Sequence, residues 1–123
     1  MPNTFSNLLF HVIFSAKERR KFLSRDVRDR LYPYISGIAS KNDFKVLCIG
    51  GTNDHIHILL SLNPEISVSK AVQLIKGNSS KWIHDNFTNF NIFSWQEGYG
   101  AFTVSKSQID VVQKYIDNQE EHH

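Results

Sequence analysis

Apolar residues along the first third of the chain are spaced as in a strand followed by a helix. The segment Leu8–Ser15 is rich in apolar and β-favouring residues, as expected for a buried strand. After Ser24, which can cap a helix, apolar residues follow helical spacing up to Asn42. Pro33 lies inside this helix and should either kink it or divide it into two shorter helices.

The middle of the chain predicts a hairpin and a second helix. Phe44–Ile49 alternates partly and His55–Leu62 alternates regularly between apolar and polar residues, and a Gly-Gly-Thr-Asn-Asp loop joins the two segments. Ser67 can then cap a helix whose apolar stripe continues to about Asn86.

The last third predicts another hairpin and a third helix. Ile92–Trp95 and Ala101–Val104 flank the loop sequence Gln-Glu-Gly-Tyr-Gly. Ser105 and Gln108 have capping-box spacing and open a helix over about Lys106–Glu121. The order β-α-β-β-α-β-β-α predicts one α+β domain over residues 1–123, with helices packed on an antiparallel sheet of the ferredoxin-like or RRM-like kind.

Composition narrows the class of protein. With 123 residues, 41% of them hydrophobic, the chain can bury a core without disulfides. The single Cys48 excludes an internal disulfide and a multi-cysteine zinc site, which favours a reducing compartment. No apolar run approaches the roughly 20 residues that span a bilayer, and Met1–Thr4 does not begin a signal peptide. We therefore expect a cytoplasmic protein without a membrane segment.

The formal net charge of +2 conceals a basic segment near the N-terminus. Residues 17–30 hold seven Lys and Arg residues, including all five arginines, against three acidic residues, which gives a local charge of +4. Because basic residues bind phosphates by releasing counterions, this segment is a candidate phosphate-binding surface. A solvated helix start would show the same charges.

Two histidines share one face of the third predicted strand. Side chains alternate along a strand, so His55 and His57 project together while Ile56 projects to the opposite face. Two neutral imidazoles on a rigid strand can bind one divalent metal ion. Histidines used for packing or exposed to solvent produce the same short motif, so both interpretations stay open on the motif alone.

The last predicted helix brings two further polar side chains to one face. Tyr115 and Gln119 are four residues apart and so lie one helical turn from each other. Tyr115 is at the margin of the apolar stripe, which leaves its hydroxyl free to reach outward while the ring packs. An ordinary boundary tyrosine occupies the same kind of position.

A strand-borne His-hydrophobic-His pair followed by a helical Tyr-x-x-x-Gln resembles the HUH single-strand nucleases, in which U is a bulky hydrophobic residue. Over nearly its full length the chain resembles the single-tyrosine HUH transposases of the 200/605 insertion-sequence group, which place one tyrosine after the histidine pair. In that group more helical sequence normally follows, so we expect the C-terminal end of this chain to be short relative to the family. The matching segments are His11–Phe14, Lys17 with Arg19 and Arg20, Gly50–Gly51, Asp54–His57, Ile75–Ser80, Trp95–Tyr99 and Tyr115–His123.

The resemblance implies a transposase that cleaves and rejoins single-stranded DNA at hairpin-bearing insertion-sequence ends. His55, His57 and Gln119 would hold Mg²⁺ or Mn²⁺. Mg²⁺ prefers oxygen ligands, so two histidines make Mn²⁺ chemically reasonable as well. Tyr115, on the C-terminal helix, would be the nucleophile that forms a 5′-phosphotyrosine. The resemblance also implies a homodimer, in which the tyrosine helix of one subunit could complete the histidine site of the other.

Four basic residues of the matching segments are candidate DNA contacts: Lys17, Arg19, Arg20 and Lys76. For Lys76 a solvated helix face is the preferred interpretation. Asp54 could orient a histidine, although ordinary turn chemistry is the preferred interpretation there. His11 suits either a core position or a DNA-facing position.

Two other classes of protein stay open. A non-catalytic single-stranded nucleic-acid-binding module of RRM-like fold would use the same α+β sheet to stack bases. A metal-dependent HUH nuclease unconnected with transposition would use His55 and His57 with water as the nucleophile.

Overall fold

The computed structural model describes residues 7–87 and 92–121. The terminal segments Met1–Thr4 and His122–His123 lie outside the described residues. Four antiparallel strands form a sheet that packs with three α-helices, which confirms the predicted α+β class. The strands are β1 (Leu8–Ser15), β2 (Lys45–Gly51), β3 (His55–Leu62) and β4 (Gly100–Val104), and the helices are α1 (Arg25–Lys41), α2 (Val68–Asn86) and α3 (Ile109–Asn118).

The strands are arranged in the order β2-β3-β1-β4, and each neighbouring pair is antiparallel. Strand β3 lies between β2 and β1, and β1 lies between β3 and β4, which is the split arrangement of a ferredoxin-like sheet. The predicted histidine pair is therefore on a central strand, where hydrogen bonds on both sides hold the backbone.

Helices α1 and α2 cover one face of the sheet, where the core is buried. Both predicted N-caps are present: the Ser24 hydroxyl accepts a hydrogen bond from the Val27 N–H at 3.3 Å, and the Ser67 hydroxyl accepts one from the Lys70 N–H at 3.0 Å. No helix within residues 7–87 and 92–121 has the length and apolar character needed to cross a bilayer. The sheet residues that face this core include Val12, Phe14, Ile56, Ile58, Leu60 and Leu62.

Helix α1 continues through Pro33 as a single helix, so the predicted alternative of two shorter helices is wrong. Proline removes one backbone donor and stiffens the turn before it. Leu31 and Ile35, on either side of Pro33, are both fully buried. Their burial on the sheet holds the two halves of the helix together while Pro33 itself is exposed to solvent.

The predicted strand Ile92–Trp95 is wrong, and with it the predicted hairpin to β4. Trp95 makes an isolated bridge to Ala16, supported by hydrogen bonds from the Lys17 N–H to the Ser94 carbonyl and from the Gln96 N–H to the Ser15 carbonyl. A longer ladder would pair residues 92–94 with residues 17–19, and those residues form a 3-10 turn that does not continue β1. The alternating apolar pattern instead reflects the burial of Phe93 and Trp95 in the core.

The last predicted helix is one α-helix with a 3-10 turn at each end. Residues 106–108 and 119–121 form these turns, and the Gln108 side chain accepts a hydrogen bond from the Ser105 N–H at 3.4 Å, as the capping box predicts. Helix α3 packs on the face of the sheet opposite α1 and α2. Ile116 is fully buried there, and its backbone lies directly against Gly50 of β2.

Candidate active site

Three histidines lie together on the face of the sheet beneath α3. His11 of β1 pairs with Leu59, two residues along β3 from His57, so the two histidines are diagonal neighbours on the same face. The ring centroids of His11 and His57 are 5.1 Å apart, and those of His55 and His57 are 5.0 Å apart. The undecided position of His11 is thereby resolved: it belongs to the histidine cluster, not to the hydrophobic core.

Tyr115 of α3 lies over this cluster. The centroid of its ring is 5.6 Å from that of His57 and 5.9 Å from that of His11, with the planes inclined at 77° and 71°. The residue is 53% exposed, so the ring packs on the histidines while part of the side chain stays accessible to solvent. This is the boundary position expected from the sequence.

Gln119 lies one turn beyond Tyr115, in the 3-10 turn that ends the helix. Its side-chain N–H donates a hydrogen bond to the backbone carbonyl of Tyr115 at 3.3 Å. The structure therefore brings Tyr115 directly to His57 and His11 and places Gln119 on the same helix end.

His55 is oriented by two side chains of its own hairpin. Its Nδ1 is 2.8 Å from Asp54 Oδ1 and 3.0 Å from Thr52 Oγ1. An ionised carboxylate only accepts hydrogen bonds, so the contact with Asp54 requires a proton on Nδ1, and in the neutral ring the lone pair is then on Nε2. Burial alone would raise the pKa of Asp54, but the hydrogen bond from His55 and the ion pair with Arg19 hold it below its usual value.

His57 is almost completely buried and neutral. Burial, followed by repulsion from His55 and His11, lowers its pKa to about 4. Its Nδ1 is 2.9 Å from Nε2 of His11, whose own pKa is lowered by burial. When Nδ1 of His57 donates in this bond, Nε2 carries the lone pair, which is the form of imidazole that binds a metal.

Arg19 borders the cluster from a strained turn. Glu18 and Arg19 both have positive φ angles, 58° and 56°, which are unfavourable for residues other than glycine. The turn is held by a hydrogen bond from the Glu18 N–H to the Gln96 side chain at 2.9 Å. It places the Arg19 guanidinium 3.2 Å from Asp54, the carboxylate that orients His55.

The other predicted basic contacts do not reach the histidines. Lys17 and Arg20 are exposed, and Arg20 pairs with Glu18 at 3.4 Å. The Lys76 ammonium donates hydrogen bonds to the carbonyls of Gln96 at 2.7 Å and Gly98 at 3.0 Å. Lys76 thus holds the loop before β4, and its burial lowers its pKa.

Sequence reasoning missed a second polar cluster, formed by Arg28, Tyr32 and Glu120. Arg28 and Tyr32 are on α1, and their side chains donate hydrogen bonds to the Glu120 carboxylate just after α3. One sequence signal was available. Arg28 lies between Val27 and Leu31 on the apolar side of α1, where a charged residue indicates a buried ion pair.

Across the described ranges 7–87 and 92–121, no group of three or more His, Cys, Asp or Glu side chains could hold a metal ion. Amide oxygens also bind divalent cations, and Gln119 carries an amide on the helix end that also bears Tyr115.

A helical tyrosine packed on a histidine pair in a ferredoxin-like sheet defines a class of protein, and comparison with known proteins identifies the family within it. The model of a family described as "Transposase IS200 like" matches residues 4–119. The chain belongs to this family of transposases, which cleave and rejoin DNA.

Relatives and solved structures agree with this assignment. The ISDra2 transposase TnpA from Deinococcus radiodurans is 29% identical over 119 residues, which cover 91% of this chain and 84% of that protein. The transposase of IS200 from Salmonella typhimurium is 29% identical over 124 residues, which cover 97% of this chain and 81% of that protein. A crystallised chain from Deinococcus radiodurans R1, assigned as a transposase, superposes with a TM-score of 0.76 at 27% identity, over 92% of this chain and 91% of that chain.

The fold is also shared with a more distant structure. A REP-associated tyrosine transposase bound to a REP hairpin superposes with a TM-score of 0.64 at 15% identity, over 90% of this chain and 64% of that chain. At this identity the likeness concerns the arrangement of helices and strands.

Proposed function

We propose that this transposase cleaves and rejoins single-stranded DNA through a covalent 5′-phosphotyrosine on Tyr115. The observation that carries the proposal is the packing of Tyr115, which places a partly exposed phenol over His57 and His11 within one chain. A side chain that must attack a phosphate and then be released needs a ring held in place and a hydroxyl that the phosphate can reach.

The donor set at the histidine pair fits a divalent metal ion. Nδ1 of His55 is hydrogen-bonded to Asp54, and Nδ1 of His57 is hydrogen-bonded to His11. These bonds leave Nε2 of each ring available to a ligand. The amide of Gln119 would add an oxygen donor, and two nitrogen donors with one oxygen donor suit Mn²⁺ and also admit Mg²⁺. The ion, when bound, would polarise the scissile phosphate as a Lewis acid.

The protein's own residues account for the exchange of bonds. The Tyr115 oxygen attacks phosphorus as its proton leaves, the bond from phosphorus to the 3′ oxygen breaks, and the freed 3′ oxygen takes up a proton. A 3′-hydroxyl later attacks the phosphotyrosine and restores the tyrosine hydroxyl. One phosphodiester bond replaces another at each step, so joining requires no nucleotide cofactor.

Hairpin-bearing single strands at insertion-sequence ends are the proposed substrate, and a homodimer is the proposed assembly. Phe102 of β4 supports recognition of unpaired bases, because it is 57% exposed and its ring centroid is 6.2 Å from that of His11. An exposed aromatic ring beside the cleavage site can stack on a base that is free of its partner. The REP-associated tyrosine transposase binds a REP hairpin, which makes a hairpin-bearing strand a natural first substrate for this chain.

Tyr115→Phe tests the proposal. The protein is incubated with end-labelled single-stranded DNA and Mn²⁺ or Mg²⁺, and denaturing electrophoresis detects DNA linked to protein. We expect the wild type to form the adduct on single-stranded DNA but not on a duplex. Tyr115→Phe should form none and still bind DNA, because only the nucleophilic oxygen is lost.

Tyr34→Phe is the matched control, since Tyr34 stacks on Trp82 on the helical side of the sheet. It should form the adduct at the wild-type rate. Adduct formation by Tyr115→Phe would contradict the assignment of the nucleophile. Cleavage without any adduct would instead indicate a hydrolase that uses water, and binding without cleavage would indicate a non-catalytic module.

A further inference from the structure

Helix α3, which carries the proposed nucleophile, has a narrow attachment to the sheet. Among residues 109–118, all of them described, only Ile116 is buried, while Val111 is 69% exposed. The Ile116 backbone lies against Gly50 of β2. Besides this contact, the helix meets the sheet through the ring of Tyr115 itself, so the contact at Ile116 alone does not fix the tilt and rotation of the helix that decide where Tyr115 lies.

Glu120 provides a second point of attachment just beyond the helix. Its Oε1 accepts hydrogen bonds from Arg28 Nε at 3.2 Å and Nη2 at 2.9 Å. Its Oε2 accepts hydrogen bonds from the Tyr32 hydroxyl and from the Gly51 backbone N–H, both at 2.7 Å. We call these four residues, Glu120, Arg28, Tyr32 and Gly51, the carboxylate clamp.

The donors of the clamp are held in place by the rest of the fold. Arg28 is 2% exposed, and its Nη1 donates a hydrogen bond to the Leu23 carbonyl at 2.7 Å. Gly51 ends β2 and is packed against the backbone of His55 and Ile56. The Glu120 carboxylate is therefore held in a fixed position relative to the hairpin that carries the histidine pair.

We propose that Glu120 is a positioning residue for Tyr115, because the carboxylate clamp and the contact between Ile116 and Gly50 together set the tilt and rotation of α3. The two attachments are four residues apart, roughly 6–8 Å along the helix axis. Two attachments along a helix fix the direction of its axis, whereas a single attachment leaves that direction variable. This inference rests on the proposed role of Tyr115 as the nucleophile.

Glu120→Gln tests the clamp with little change of shape. The amide replaces one accepting oxygen by an N–H₂ group, which then faces donors. Two quantities are measured: the rate of adduct formation at saturating single-stranded DNA, and the ¹⁹F chemical shift of 3-fluorotyrosine incorporated at Tyr115. We expect the rate to fall about 100-fold, as for a misplaced reacting group, with the affinity for DNA unchanged. The fluorine resonance should move towards that of free fluorotyrosine as the ring leaves the histidines.

Two further variants accompany this test. Glu65→Gln removes an equal charge from an exposed loop position and should leave both the rate and the fluorine shift at their wild-type values. Tyr32→Phe removes one hydrogen bond and keeps Arg28 paired, so it should fold even where Glu120→Gln does not. It should move the fluorine resonance in the same direction and slow adduct formation severalfold.

Wild-type rates and fluorine shifts in both clamp variants would overturn the inference. A slower rate with an unmoved fluorine shift would also overturn it, because Glu120 would then act without positioning the ring. Absence of an adduct in the wild type, together with a fluorine shift that moves in Glu120→Gln, would reject the proposed function and leave the clamp standing.

Discussion

Gly50 shows how one residue can determine where a helix lies. A Cβ at this position would overlap the carbonyl oxygen of Ile116, so only glycine lets the backbone of α3 lie directly on β2. The glycines within helices differ, because open space surrounds the Cβ position of Gly37 and of Gly77. The role of Gly50 thus comes from the close approach of two backbones, not from a turn.

Gly50→Ala should push α3 away from β2. We expect the free energy of unfolding to fall by about 1–3 kcal/mol, as for other overpacked sites. Urea unfolding measures this change, and faster amide hydrogen exchange over residues 109–118 would locate it in α3.

Gly37→Ala is the control for the glycine-to-alanine change itself. It lies in α1 with open space at the Cβ position, so alanine should raise the free energy of unfolding by about 0.5–1 kcal/mol. Equal effects of the two substitutions would contradict the close approach at Gly50.

At the scale of elements, β2 carries a cysteine whose reactivity reports how closely α3 packs on that strand. Cys48 of β2 pairs with Leu59 and lies on the same face of the sheet as Gly50. Burial and the nearby Asp117 carboxylate of α3 raise the pKa of the Cys48 thiol to about 11, against a backbone hydrogen bond at Leu59 that lowers it. Both causes of the increase depend on how the protein packs around this strand.

Labelling of Cys48 by a thiol reagent should therefore depend steeply on pH. A raised pKa keeps the thiol protonated, so the reactive thiolate is only about 0.1% of the population at pH 8. We expect the labelling rate to rise about tenfold per pH unit from pH 7 to 10, since each unit multiplies the thiolate by ten.

The unfolded chain is the reference, and there the thiol should titrate near its ordinary value. Glu120→Gln, which loosens α3, should make Cys48 react faster at a given pH. A labelling rate that levels off between about pH 9 and 10 in the folded protein, as for a thiol of ordinary pKa, would contradict the raised pKa of this thiol.

For the whole molecule, the main consequence is that one chain holds both halves of the candidate site. Tyr115 packs on His57 of its own chain, and the carboxylate clamp attaches the same helix to its own α1 and β2. A dimer built from such chains has two self-contained sites, whereas exchange of α3 between subunits would require the clamp to open.

Mixed dimers of Tyr115→Phe and His55→Ala subunits distinguish these arrangements. Neither subunit has a complete site of its own, so the arrangement seen here predicts no covalent adduct. Co-expression with two different affinity tags isolates the mixed dimer, and a mixed dimer of wild-type and Tyr115→Phe subunits should retain activity. An adduct in the doubly substituted dimer would show that α3 crosses between subunits.

Local patterns predicted most of the elements that build the sheet. The bounds of β1 and β3 match the prediction, and α1 and α2 begin after the predicted caps Ser24 and Ser67. The error at Ile92–Trp95 has a physical cause, since alternation shows which side chains are buried and does not show whether the segment opposite is extended and able to pair. At Pro33, burial on both sides outweighed the local preference.

The sequence by itself determined the class of fold, the placement of His55 and His57 on one face, and the helical position of Tyr115, because these follow from periods of 2 and 3.6 residues within single elements. Only the tertiary structure decided that Tyr115 lies over His57, that His11 joins the cluster, and that Glu120 meets Arg28, Tyr32 and Gly51. These contacts join residues that are distant along the chain, and local periodicity carries no information about which distant surfaces meet.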